Sequence, residues 1–299
     1  MPSPEIQEII ALFEQRKANR PASPPPIEEL RANFLPGGKR YDMPDDVRVS
    51  EVSAAGVPSH WVDAPGVRTD RVLVYVHGGG FTLGSLASHG DLASRLGRAA
   101  GLRVLFPEYR MVPEHVYPAA LEDVRAVWRW LREDQGLPAS SIALAGDSAG
   151  GNLITALLLE LRDAGADLPA AAVLLSPLLD LTGSGASMTE RDGQDAIFTP
   201  AMLRGVFAGY LAGADPLSPS ASPIFGDPTA LPPLLIQVGT AELILSDSER
   251  FADSARSAGV EVTLNVGEGL PHVYQTMRDT PEAAAATDEI AAFLHKHLA

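Results

Sequence analysis

The sequence predicts an α/β fold with a mostly parallel central sheet covered by helices on both faces. Three observations carry this. Short, continuously apolar runs such as RVLVYV (71–76), SIALAG (141–146) and LLIQVG (234–239) alternate with helical patterns. Unbroken Val/Ile/Leu runs are what strands buried on both faces look like. Two of these runs end in glycine-rich turns, HGGG at 77–80 and GDSAG at 146–150. The chain of 299 residues is also 45% hydrophobic and 20% charged, enough for a sizeable core.

The elements follow in order. Ile6, Ile9, Ile10 and Phe13 recur at helical spacing and predict an N-terminal helix. PASPPP at 21–26 breaks it and reads as an extended linker to the main fold. Val47, Val49 and Val52 suggest a first strand, and His60 to Val62 a second. RVLVYV is the third, followed by a helix over 90–100, the strand LRVLFP (102–107) and a long helix over 118–134. SIALAG leads into a helix from Ala149 to Asp163, and then comes the strand AAAVLLS (170–176). LLIQVG, a helix over 248–258, VEVTLNV (260–266) and a terminal helix complete the pattern.

Residues 180–230 interrupt the alternation with Gly, Ser and Pro around one helix. Thr199 suits its N-cap and Pro200 its first position. Met202, Leu203, Val206, Phe207 and Tyr210 form its apolar stripe. Ligands of α/β sheets bind beyond the C-terminal strand ends. An insertion there is placed to cover such a site, together with the N-terminal helix.

Composition narrows the function. Lys plus Arg is 23 and Asp plus Glu is 38, a net charge of −15, which argues against nucleic acid and anionic membranes. The absence of cysteine excludes a disulfide scaffold, thiolate metal sites and a cysteine nucleophile. No basic region precedes an apolar run at the N-terminus, and no apolar stretch is long enough to span a bilayer, so a cytoplasmic protein is expected. No metal is expected: H-E-x-x-H is absent, and His295 and His297, two apart, lie on different helix faces. GGGFTLG fails the G-x-G-x-x-G pattern at Leu83, and no G-x-x-x-x-G-K-[ST] occurs.

Gly146-Asp147-Ser148-Ala149-Gly150 follows an apolar strand and opens an apolar helix. That is the context of a nucleophile elbow, in which a sharp turn exposes a serine hydroxyl. The plainer reading is a glycine-rich turn with a serine N-cap. His77-Gly78-Gly79-Gly80-Phe81 follows RVLVYV. Acyl transfer builds negative charge on a carbonyl oxygen, and such a loop offers N–H donors to it. The amide after the nucleophile, Ala149, supplies another.

HGGGFTLGS, PEYRMVPEHVYPAALED (107–123) and GDSAGGNL (146–153), in this order, resemble the hormone-sensitive-lipase-like α/β-hydrolases, mostly bacterial esterases. The similarity runs from about residue 70 to the C-terminus. It implies an α/β-hydrolase with a helical lid, no cofactor and a Ser–acid–His triad. The organisation then reads as an N-terminal cap segment 1–45 and a catalytic domain 46–299 with the cap insertion at 180–230. Ser148 is the expected nucleophile, with Gly79, Gly80 and Ala149 as oxyanion donors, and Gly78 shapes the loop. His272, after VEVTLNV and GEGLP, stands where the family carries its base. Measured from the strand end Gly239, Glu242 stands where the family carries its catalytic aspartate, with Asp247 as the rival acid. Asp247 otherwise reads as a first-turn helix anion. Ser176 and Ser246 replace aspartates common in the family. His77 and His115 are expected to be structural, and His295 and His297 solvated.

The expected activity is hydrolysis of short to medium acyl esters, acetate to octanoate, acting on a small-molecule ester in a homodimer. Met202, Phe207, Tyr210, Leu211 and either Phe34 or Leu35 are the expected acyl-pocket residues. A lactonase, amidase or thioesterase would use the same triad. A non-catalytic small-molecule receptor on this fold would lack a triad member.

Overall fold

A computed structural model describes residues 1–21 and 23–298, so Ala22 of the 21–26 segment lies outside the described residues. The chain runs α1 (Pro4–Ala18), α2 (Ile27–Ala32), β1 (Arg48–Ala54), β2 (Val57–Asp63), β3 (Arg68–Val76), α3 (Leu86–Ala100), β4 (Leu102–Pro107) and α4 (Ala119–Arg129). It continues with β5 (Ile142–Asp147), α5 (Ala149–Asp163), β6 (Ala171–Leu175), α6 (Ser187–Glu190), α7 (Pro200–Leu211), β7 (Leu234–Gly239), α8 (Leu245–Ser257), β8 (Val262–Gly267) and α9 (Pro281–His297).

The eight strands form one sheet in the order β1-β2-β4-β3-β5-β6-β7-β8. β2 runs antiparallel to β1 and β4, and all pairs from β4 to β8 are parallel. Alternation along β3 explains the two-faced burial. Val72, Val74 and Val76 point into one core with Leu121, Leu153 and Phe251 of α4, α5 and α8. Leu73 and Tyr75 point into the other with Leu92 of α3 and Ile290 of α9. A third cluster joins Ile6 and Phe13 of α1 to Ala196, Leu270, Tyr274 and Met277. The N-terminal helix therefore lies on the loop that carries His272.

Several boundaries differ from the sequence reading. α2 follows the proline run, where six residues leave no readable period. α3 begins at Leu86 rather than 90, because Ser85 and Ser88 form a reciprocal capping box. The long helix expected over 118–134 ends at Arg129 and continues as a π-turn over Trp130–Asp134. The insertion holds α6 as well as α7, whose Thr199 cap and Pro200 start are as expected. α8 starts at Leu245, so Asp247 lies in its first turn. His297 packs against Phe293, ring centroids 4.7 Å apart, and is not fully solvated as expected. Among the described residues no helix is long and apolar enough to cross a membrane.

Candidate active site

Ser148 stands between β5 and α5 at φ 51° and ψ −116°, a backbone state that side chains rarely adopt. Such strain costs on the order of 1–3 kcal/mol and persists only where surroundings enforce it. Here the Ser148 amide donates to Leu175 O at 2.9 Å, and its carbonyl accepts from Leu178 N at 3.1 Å. Gly150 is required by contact, since a Cβ there would stand 1.9 Å from Val76 O.

The loop after β3 reaches the same sheet edge. Gly79 has φ 110°, and a Cβ on it would stand 2.3 Å from Leu83 O. Among the described residues the amides of Gly79, Gly80 and Ala149 donate to no protein acceptor. The Gly78 amide is used differently: it donates to Asp147 Oδ1 at 2.9 Å. That oxygen also accepts from Tyr75 OH at 2.7 Å, and Asp147 Oδ2 lies 3.5 Å from His89 Nε2. Burial opposes the Asp147 charge, but His89 and Tyr75 outweigh it and hold the carboxyl below its ordinary range. Asp147 thus ties the glycine loop to the elbow. His77 stacks on Tyr109 at 4.4 Å, and its Nδ1–H donates to Gly78 O at 2.7 Å. Burial, with His89 nearby, pushes His77 down to about 3, so it is a neutral structural ring.

Glu242 follows β7 and is fully buried. Its Oε1 accepts from Ser176 Oγ at 2.7 Å and from Gly239 N at 2.6 Å. Its Oε2 accepts from His272 Nδ1 at 2.7 Å. Ser176 Oγ in turn accepts from Val273 N at 3.1 Å, so one hydroxyl fixes both the acid and the histidine loop. Burial disfavours the His272 cation, but the Glu242 charge and hydrogen bond outweigh it, aided by Asp195 and Asp147, and raise the ring above its ordinary value. The Glu242 bond assigns the ring proton to Nδ1 and leaves Nε2 as the acceptor. Ser148 Oγ and His272 share the C-terminal edge of the sheet, yet no hydrogen bond joins them among the described residues.

Asp247 is occupied elsewhere. Its Oδ2 accepts from Leu179 N at 2.8 Å and Asp180 N at 2.9 Å, which pins the start of the insertion. Asp180 pairs with Arg250 at 2.8 Å. Ser246 exchanges hydrogen bonds with Ser187, at 2.9 and 3.0 Å.

The expected acyl-pocket residues divide. Phe207 packs beside Gly183, and Tyr210 stacks on Phe81 at 3.6 Å while only 1% exposed. Leu211 is buried in the core, and Met202 Sδ accepts from Arg20 Nη1 at 2.8 Å. Phe34 faces His89 at 5.9 Å and lines a recess of about 240 Å³ with Arg31, Ser85 and Ser88. Leu35 is half-buried. Two side chains not singled out as pocket residues touch expected site residues. Val206 Cγ1 would stand 3.2 Å from a Cβ on Gly80, and the Phe198 ring meets His272 edge-on at 5.2 Å. Val206 was visible in the stripe of α7; Phe198 carried no local signal.

The α/β-hydrolase-fold family profile matches residues 73–276. The chain is 42% identical to an acetyl-hydrolase of Streptomyces hygroscopicus over 98% of this chain and 97% of that one. It is 34% identical to an esterase of Acinetobacter venetianus over 83% of this chain and 82% of that one. The structure superposes with a TM-score of 0.90 on an esterase of the bacterial hormone-sensitive lipase family, 38% identical and covering 100% of both chains.

Proposed function

The chain belongs to the α/β-hydrolase family, in its hormone-sensitive-lipase-like branch, and from that premise we propose that it hydrolyses short to medium acyl esters through Ser148, His272 and Glu242. It is a hydrolase of the carboxylic-ester class, as its relatives named acetyl-hydrolase and esterase are. One observation carries the assignment of residues: Glu242 Oε2 on His272 Nδ1 at 2.7 Å, with the other carboxylate oxygen already saturated by Ser176 and Gly239.

In this reading Ser148 Oγ attacks the ester carbonyl and its proton passes to His272 Nε2. The tetrahedral oxyanion is held by the amides of Gly79, Gly80 and Ala149; one such donor is worth about 10²–10³ in rate. The intermediate collapses, and His272 gives the proton to the departing alcohol. A water enters, loses its proton to His272 and attacks the acyl-serine, which releases the acid and restores Ser148. Glu242 keeps the ring oriented and stabilises the imidazolium.

Val206 over Gly80 and Phe198 against His272 favour small acyl groups. Residues 1–45 and 180–230 act together as the cap, a role supported by the contact of α1 with Ala196 and with the loop around His272. A cytoplasmic homodimer belongs to the same reading, and sedimentation and cell fractionation check it.

The test is a p-nitrophenyl ester series, acetate to palmitate, with wild type and Ser148→Ala. Turnover peaking at short chains and reduced by at least about 10⁴ in the variant is expected. Ordinary turnover in the variant refutes the proposal. Wild type inert on every chain length moves the substrate to a lactone, amide or thioester.

A further inference from the structure

The insertion between β6 and β7 does more than cover the sheet edge. Its Asp195 is 2% exposed and no step above uses it. Oδ2 accepts from Leu243 N at 3.0 Å, the amide directly after Glu242. Oδ1 accepts from Ile197 N at 2.8 Å and Phe198 N at 2.9 Å, which sets the backbone that aims the Phe198 ring at His272. The same insertion grips the other side of Leu243: Ser187 Oγ donates to Leu243 O at 2.6 Å. The backbone carbonyl of Asp195 accepts from Lys17 Nζ of α1. One residue therefore joins the N-terminal helix through its backbone carbonyl, and the acid loop and the ring that packs on the histidine through its carboxylate.

We propose that Asp195 is a positioning residue for the Glu242–His272 pair: it holds the Glu242–Leu243 peptide through the Leu243 amide, while Ser187 holds the next peptide through the Leu243 carbonyl. The inference rests on the assignment of Glu242 and His272 above. Glu242 has no free rotation to absorb a backbone shift, because both its oxygens are already committed. A misplacement of about 1 Å at such a group costs about 10²-fold in rate. Asp195 also acts through charge. The ionisable groups that bear on the His272 ring are Glu242, Asp195 and Asp147, and all three favour its cation.

The test is Asp195→Asn beside Ser187→Ala, with Glu242→Gln as reference, on p-nitrophenyl acetate. An asparagine cannot accept on both sides, so either Leu243 or the Ile197–Phe198 pair loses its acceptor. Expected for Asp195→Asn are a kcat lower by about 10-fold or more, a KM changed far less, and an acid limb of kcat/KM moved to lower pH. Ser187→Ala, a neutral change, should lower kcat and leave the limb in place. Unchanged kcat in a folded Asp195→Asn, or lowered kcat with an unmoved limb, overturns the inference. If Asp195→Asn does not fold, Ser187→Ala decides: lowered kcat at wild-type Tm supports the inference and unchanged kcat overturns it. Glu242→Gln separates the two levels. If it stays active, the underlying triad is wrong; if it alone fails, only the role of Asp195 is wrong.

Discussion

Exchange of Glu242 for glutamine replaces one carboxylate oxygen by NH₂ and, on this geometry, should disable the base. Glu242 Oε1 receives two donors, Ser176 Oγ–H at 2.7 Å and Gly239 N–H at 2.6 Å. The glutamine carbonyl must therefore face them, because turning its NH₂ there would leave buried donors unsatisfied at about 1–3 kcal/mol each. The NH₂ is then presented to His272 Nδ1, which must become the acceptor. The ring proton moves to Nε2, and a neutral imidazole protonated there cannot take the Ser148 proton. The same carboxylate-to-amide change in a serine protease triad lowers kcat by about 10⁴. For Glu242→Gln we expect a loss of about 10³–10⁴, or about 4–5 kcal/mol of barrier. The assay is kcat for p-nitrophenyl acetate at pH 8, with thermal unfolding to show that the fold persists. A folded variant within about tenfold of wild type would refute the tautomer argument.

Three further outcomes follow from the same geometry. Activity should rise with pH as His272 loses its proton, with the midpoint above about 6.5 because Glu242 holds the cation; a midpoint below that contradicts the raised ring. Burial pushes the Asp247 carboxyl up to about 7, above its unfolded value of about 3.9. Its stabilising contribution is therefore full at low pH and is lost as pH rises through about 4 to 7, by a few kcal/mol in all. An amide oxygen can accept from both Leu179 and Asp180, so Asp247→Asn should gain stability over wild type as pH rises; paired Tm values at pH 5 and 8 that show a constant gap contradict this. Gly150→Ala places a Cβ 1.9 Å from Val76 O and should cost more than about 3 kcal/mol of stability; a wild-type denaturant midpoint would show that the elbow relaxes freely.

What the sequence made legible is what depends on neighbours along the chain. The apolar strands, the Thr199–Pro200 start of α7 and the two glycine turns are local signals, and each appears where its pattern placed it. Gly146 and Gly150 could be read because an elbow needs close backbone approach, whatever the rest of the fold does. The identity of Glu242 as the partner of His272 needed the resemblance, since 30 residues separate them. Asp195 escaped because its meaning lies in a hydrogen bond to Leu243, 48 residues away. In local sequence it is only an acceptor for the amides two and three residues on, a turn like many others. Which residues of α7 touch the glycine loop was not legible either. Periodicity marked the apolar stripe of α7, but could not tell Tyr210, stacked on Phe81, from Val206, which meets Gly80.

Covalent capture shows whether Ser148 forms the acyl-enzyme. Wild type and Ser148→Ala are incubated with a fluorophosphonate, digested and mapped by mass spectrometry. One adduct is expected in wild type, on the peptide carrying Ser148, with matching loss of esterase activity, and no adduct in the variant. Full labelling of another residue, or activity that survives complete modification of Ser148, would refute the role of Ser148.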